Sequence, residues 1–335
     1  MESENIGMHM FIGQRKQNRF AFVILCAAMG WFVSTAGAVV IHDSSSGPTP
    51  ASSTVRPSAD LGFEGVTDPG WDHVGWGSNG TNASSAGSAI YVGNRWVLTA
   101  AHTNGNRITL GDSVESGTTY VRDGSTPLVR LKNPDQSNAD LVMFRLTEDP
   151  GLAALPIIDA TPDVDDLAIL IGTGVDRDGG LQQPVTPGTR DGYAWSSTRA
   201  KVWGVNNVQG VFGDSDVEDL QVEGFKTEFN SNNVGMPEAQ AADKDSGGAV
   251  FVLTDDGWKL GGVMIGVSRF FLLGNDGKPD LNQPDQPGRT SVFGNQTLSA
   301  DLSVYRIQIE ALIPEPATAT ILGGLSLVML RRRRH

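Results

Sequence analysis

The sequence of 335 residues predicts an all-β fold, on two observations. Short apolar runs recur between clusters of Gly, Asn and Asp, at 88–92, 95–100, 118–121, 128–131, 141–146, 167–171, 200–203, 218–222, 249–253 and 259–267. Helical periodicity is nearly absent until 301–312, where Leu302, Tyr305, Ile309 and Leu312 recur at helical spacing and predict one closing helix.

The chain begins with a separate unit. Arg15, Lys16 and Arg19 form a basic region, 20–33 an apolar core, and Ala36-Gly37-Ala38 a small-residue cleavage site, so 1–38 reads as an export signal. The core is shorter than the about 20 residues a bilayer span needs, which favours cleavage over an uncleaved anchor. Cys26 is the only cysteine and lies inside this signal, so a processed chain has none and its stability must come from a buried core. Residues 39–60 are rich in Ser, Pro and Thr without apolar period and are expected to form a flexible leader; globular composition runs from 61 to 313.

Within that globular stretch, Asp243-Lys244-Asp245-Ser246-Gly247-Gly248 precedes an apolar run, a pattern for a tight turn that fixes a hydroxyl just before a strand. A serine hydroxyl attacks carbonyls only when a base, a group orienting that base and oxyanion donors surround it. Of the five histidines, His102 alone ends a strand-turn-strand pattern, 88–102, whose turn is Gly93-Asn94. Asp140 opens the apolar run 141–146 between the two; Asp112 and Asp135 lie in the same interval.

The run Trp96-Val97-Leu98-Thr99-Ala100-Ala101-His102, together with Asp245-Ser246-Gly247-Gly248, resembles the trypsin/chymotrypsin-type serine peptidases, with His, Asp and Ser in the family's order. The resemblance covers roughly 70–312. It implies two six-stranded antiparallel β-barrels followed by a short helix, a catalytic triad of His102, Asp140 and Ser246, and an oxyanion hole from the backbone N–H groups of Lys244 and Ser246. It also implies Gln240, six residues before the nucleophile, at the base of the specificity pocket. The sequence departs from the family in four places: Lys244 stands where glycine is common, Thr103 and Ala242 stand where many relatives carry cysteine, and Gly262-Val263-Met264-Ile265-Gly266-Val267 lacks the usual Ser-Trp-Gly of the cleft strand. No Ile-Val-Gly-Gly-like activation site precedes His102, so activation by a cut N-terminus is unsupported, and Asp245, which matches the family acid that pairs with a new N-terminus, is expected to pair with a nearby base or to cap the turn.

The tail 314–335 joins a Pro314-Glu315-Pro316 box, a 14-residue apolar run at 317–330 and four arginines, and resembles the PEP-CTERM sorting signal of bacterial envelope proteins. A plain C-terminal membrane anchor is the alternative, though the run is short for a stable span. Three of the 25 basic and two of the 38 acidic residues lie in the leader signal, and four and one in the tail, which leaves a net charge of −17 between them. That charge excludes nucleic acid and anionic membrane surfaces as ready partners. Asp163-Val164-Asp165-Asp166 and Asn275-Asp276-Gly277-Lys278-Pro279-Asp280 offer oxygens but lack a full Ca²⁺-ligand spacing and read as turns; no metal or other cofactor is expected. The sequence thus predicts an exported, monomeric bacterial serine endopeptidase acting on polypeptides, served by export machinery and a PEP-CTERM processing enzyme, held at the envelope by its tail or secreted. The alternatives are a catalytically degenerate peptide-binding or surface module of the same fold, and a structural envelope protein.

Overall fold

The computed structural model describes residues 39–42, 54, 56–57, 67–79, 87–186, 188–213, 221–231, 238–273 and 279–313. The export signal, most of the Ser/Pro-rich leader and the PEP-CTERM-like tail lie outside the described residues. Among those described, no helix is long and apolar enough to cross a membrane.

In chain order the first strands are β1 (Val40–His42), β2 (Val74–Ser78), β3 (Gly87–Gly93), β4 (Trp96–Ala100), β5 (Arg107–Leu110), β6 (Thr118–Val121), β7 (Val129–Lys132) and β8 (Asn138–Arg145). There follow β9 (Leu167–Gly172), β10 (Val175–Gln182), β11 (Gly192–Arg199), β12 (Val202–Phe212), β13 (Gly224–Glu228) and β14 (Glu238–Gln240). The chain continues through β15 (Ala249–Thr254), β16 (Gly257–Val267), β17 (Phe271–Leu273), β18 (Pro279–Pro284), β19 (Thr290–Val292) and β20 (Gln296–Asp301), and ends in the helix α1 (Leu302–Leu312).

The all-β expectation and its closing helix hold, and the two halves differ in closure. In the second half, β12, β13, β20, β16, β15 and β9 pair antiparallel in that order and β9 pairs back onto β12, which closes a six-stranded barrel. The first half is a seven-stranded sheet in the order β6-β5-β2-β3-β4-β8-β7. Its β6 and β8 ends meet at one bridge, Arg122 to Leu146, flanked by hydrogen bonds from Thr147 N to Val121 O at 3.0 Å and from Asp123 N to Arg145 O at 2.7 Å. β3 and β4 are buried along their whole length, which is why they read as continuous apolar runs rather than alternating ones.

One apolar core joins the halves. Trp71, Ile90, Leu98, Leu141 and Met143 from the first pack in the same cluster as Ile169, Ile171, Trp203, Phe251 and Val263 from the second. The helix seals it: Leu302, Tyr305 and Ile309 are buried on its predicted face, with Leu312 partly buried beside them. Asp301 caps the helix by accepting from Ser303 N at 2.9 Å, and Gln308 exchanges two 2.9 Å hydrogen bonds with the backbone of Lys132 on β7.

Two expectations change. Of the strand read at 218–222, residues 218–220 lie outside the described residues; Gln221 and Val222 are not in a strand, and β13 begins at Gly224, with Gln221 at a left-handed φ of 45° and its carbonyl accepting from Asp140 N at 3.2 Å and Asn133 Nδ2 at 3.0 Å. The leader is structured at its start: Val40–His42 form β1, pair antiparallel with β14, and bury Val39, Val40 and Ile41.

Candidate active site

Asp140 and His102 arise from neighbouring strands of the first half. β4 and β8 pair with Ala100 opposite Leu141, so the next step along each brings Asp140 beside the short 3-10 turn Ala101–Thr103. Asn104, left-handed at φ 52°, ends that turn. Asp140 grips His102 twice: Oδ1 accepts from the His102 backbone N at 2.9 Å and Oδ2 lies 2.5 Å from Nδ1. With the Nδ1 proton directed at a carboxylate, Nε2 keeps its lone pair for accepting a proton. The side chain of Asp140 is 8% exposed and that of His102 38%, so the carboxylate is shielded while the imidazole stays open to solvent. Arg130 Nη2 stands 3.7 Å from Asp140 Oδ1, and its Nε donates to Ala139 O.

The serine comes from the second half. Gly247, at φ 89°, turns the chain where a Cβ would stand 2.1 Å from Ser88 O and 2.2 Å from Thr99 Oγ1. Gly247 N donates to Met264 O at 2.8 Å and Gly248 N to Asp245 O at 2.6 Å, and β15 follows. Ser246 is 4% exposed; its Oγ donates to Ile265 O at 3.3 Å, and no hydrogen bond joins it to His102. The two motifs nevertheless meet on β3. A Cβ at Gly87 would stand 2.6 Å from Ser246 O and 3.0 Å from Thr103 Cγ2, and Ser88 N donates to Ser246 O at 2.9 Å.

Lys244, where glycine was the expectation, takes φ 79°, the left-handed conformation glycine would reach without cost. Gln240 ends β14, opposite Val40, 1% exposed and with Oε1 lacking a hydrogen-bond partner among the described residues. Glu238 on the same strand, which sequence reasoning passed over, is fully buried and accepts from Asn230 N at 2.6 Å. Asp112 bonds Trp71 Nε1 at 2.7 Å and Asp135 bonds Ser137 N at 2.8 Å, so neither alternative acid pairs with His102.

Asp245 is wholly buried. Its Oδ2 accepts from Ala242 N at 3.0 Å, while Oδ1 packs against Gly172 without a hydrogen-bond partner. Burial pushes its carboxyl well above the ordinary range, against the pull of the Arg199 charge. Asp163–Asp166 closes a turn, with Asp166 N on Asp163 O at 3.2 Å and Asp163 N on Asp166 Oδ2 at 2.9 Å; most of 275–280 lies outside the described residues.

The Trypsin family model matches residues 67–279, more than half of the chain. The chain belongs to the trypsin family. Solved structures similar to this trypsin-family chain include a double mutant of human heparin-binding protein, with 17% identity, 74% of this chain and 94% of that one covered, and a TM-score of 0.44. Neuropsin from mouse brain, a serine protease, matches at 17% identity over 73% and 95%, TM-score 0.44. A kallikrein-related peptidase in complex with zinc matches at 14% identity over 73% and 96%, TM-score 0.41. No curated protein matches the sequence.

Proposed function

We propose that the chain is an exported bacterial serine endopeptidase, with His102 as base, Asp140 as its orienting acid and Ser246 as nucleophile. The observation that carries the reading is the double grip of Asp140 on His102, which sets the tautomer needed for base catalysis. In the reaction, the Ser246 hydroxyl turns from Ile265 O, its oxygen bonds to the substrate carbonyl carbon, and its proton passes to His102 Nε2. The N–H groups of Lys244 and Ser246 hold the oxyanion. The C–N bond then breaks, Nε2 returns the proton to the leaving amine, and water repeats the sequence to free Ser246. Gln240 is uncharged, so no strong preference for Arg or Lys before the cut is expected; clean cleavage only after basic residues in a substrate panel sinks that expectation.

Export supplies an activation route. Val40 lies opposite Gln240 and Ile41 opposite Ala239, so Val39, wholly buried, falls opposite Ala241, one residue from the Ala242 N–H that Asp245 holds. Signal removal after Ala38 would create an ammonium at Val39, next in register to the Ala242–Asp245 contact, for Asp245 to pair with. In this reading the export cut is also the activating cut. The tail 314–335 then delivers the enzyme to a PEP-CTERM processing enzyme at the envelope.

The test is labelling of the purified protein with a fluorophosphonate, with the adduct located by mass spectrometry. An adduct on Ser246, absent in His102→Ala and Ser246→Ala, is expected. A folded protein without an adduct favours a second reading, a peptide-binding module that has lost catalysis. The Ser246 hydroxyl engaged by Ile265 O, with no bond to His102, speaks for that reading.

A further inference from the structure

We propose that Ser88 is a positioning residue that clamps the loop bearing the oxyanion donor, holding Lys244 in its left-handed conformation; the inference rests on the peptidase reading above. Ser88 is fully buried on β3, 156 residues from Lys244 in sequence. Its hydroxyl lies 3.2 Å from Lys244 O, 3.0 Å from Thr173 N and 2.9 Å from Thr173 Oγ1. Proton counting orders these bonds. A hydroxyl has one proton and two acceptor positions, and Lys244 O and Thr173 N have fixed roles. Ser88 therefore donates to Lys244 O and accepts from Thr173 N and Thr173 Oγ1.

The chain of donors extends one step further. Thr173 Oγ1, having given its proton to Ser88, accepts from Arg199 Nη2 at 3.4 Å, while Arg199 Nε donates to Thr173 O at 2.9 Å. The same Nη2 donates to Gly87 O at 3.1 Å, so the guanidinium fixes both sides of the clamp. A cation at the head of a partly buried series Arg199, Thr173, Ser88, Lys244 polarises each bond after it. Ser88 also grips the nucleophile through its backbone: Ser88 N donates to Ser246 O at 2.9 Å and Ser88 O accepts from Thr99 Oγ1 at 2.8 Å. Two hydrogen bonds from one residue thus fix the carbonyls on either side of Asp245.

The physical need follows from Lys244. A side chain at φ 79° favours relaxation to negative φ, which would turn the Lys244 N–H away from the oxyanion. Tying down the Lys244 carbonyl opposes that relaxation. Glycine at the same position would not need the tie, because it adopts positive φ freely.

The experiment is a double-mutant cycle of Ser88→Ala and Lys244→Gly in the full chain, read by the second-order rate of fluorophosphonate labelling and by hydrogen exchange of segment 242–248. Ser88→Ala is expected to slow labelling about 10- to 100-fold, a share of what loss of one oxyanion donor costs. In the Lys244→Gly background the same change should alter the rate within about twofold. Hydrogen exchange of 242–248 should quicken in Ser88→Ala and return towards the parent rate in the double variant. Thr173→Val, close in shape, should slow labelling in the same direction if Ser88→Ala proves poorly folded. Equal rate losses in both backgrounds, or unchanged exchange in a folded Ser88→Ala, overturn the clamp. A parent protein that never labels sinks the peptidase reading instead, and the exchange arm still decides whether Ser88 restrains Lys244.

Discussion

The two halves of the molecule contribute unlike things to the proposed site. The first half supplies Asp140 and His102 already paired, through the simple register of β4 against β8. The second half supplies a serine on a loop under constraint: Lys244 and Gly247 both at positive φ, and Asp245 buried with an oxygen unpartnered. The paired half is set by the register of its own strands with one hold from Gln221 of the second half on Asp140 N, whereas the constrained half depends on contacts from β3 and from the residues that follow β9. Rate effects are expected from both halves, whereas effects tied to processing and pH should concentrate in the second half and at the junction.

The largest expected effect tests the paired half. Asp140→Asn keeps the shape of the side chain but destroys the preference for the Nδ1 proton, and should lower kcat by about 10⁴-fold with KM nearly unchanged. Thermal unfolding beside steady-state kinetics checks it: a loss of activity that tracks a fall in Tm makes Asp140 structural and breaks the contrast between the halves.

A second test concerns the constrained half, and its sign depends on processing. In the chain with its signal attached, Asp245 keeps its proton at a pH where the unfolded chain has lost it, so stability falls as pH rises above the ordinary carboxylate value. Asp245→Asn should then raise Tm at pH 7, with the gain vanishing in acid. In the chain cut before Val39 the same substitution strands a buried ammonium and should cost about 3–5 kcal/mol. Calorimetry on both forms decides; a shift of one sign in both eliminates the Val39–Asp245 pairing.

Contiguous features of the site were legible in the sequence. The 88–102 hairpin appears as β3 and β4, though its turn is Asn94-Arg95, at left-handed φ of 45° and 67°, one residue beyond the expected Gly93-Asn94, and the helical spacing of Leu302, Tyr305 and Ile309 matches the buried face of α1. What escaped lacks a local signal. β10 is polar and largely exposed, so it shows no apolar run, and the β2 sequence Val-Gly-Trp-Gly-Ser carries glycine where β5 approaches so closely that a Cβ at Gly75 would stand 2.2 Å from Thr109 O. The hold of Gln221 on Asp140 and of Ser88 on Lys244 connects residues 81 and 156 positions apart, and propensity reads only neighbours.

The smallest effect lies where the halves meet. Lys201, one residue before β12, is 1% exposed; its Nζ donates to Gly111 O at 3.2 Å and sits 4.4 Å from the centre of the Trp71 ring. Burial lowers its pKa from the usual 10.5 to about 7, against the raising influence of Asp72, Asp112 and Asp68. Between those two values the unfolded chain binds a proton that the folded chain does not, so stability climbs with pH across the interval. Below it both states are charged, and the folded state carries the full cost of a buried cation. Lys201→Met removes that cost while keeping the stem that packs on Trp71, at the loss of one hydrogen bond to Gly111 O. Tm should rise by at least about 2 °C at pH 6 and by progressively less towards pH 10. A variant equally destabilised at both pH values would mean that the cation over Trp71 and its bond to Gly111 outweigh its desolvation, and that the junction is held by charge rather than in spite of it.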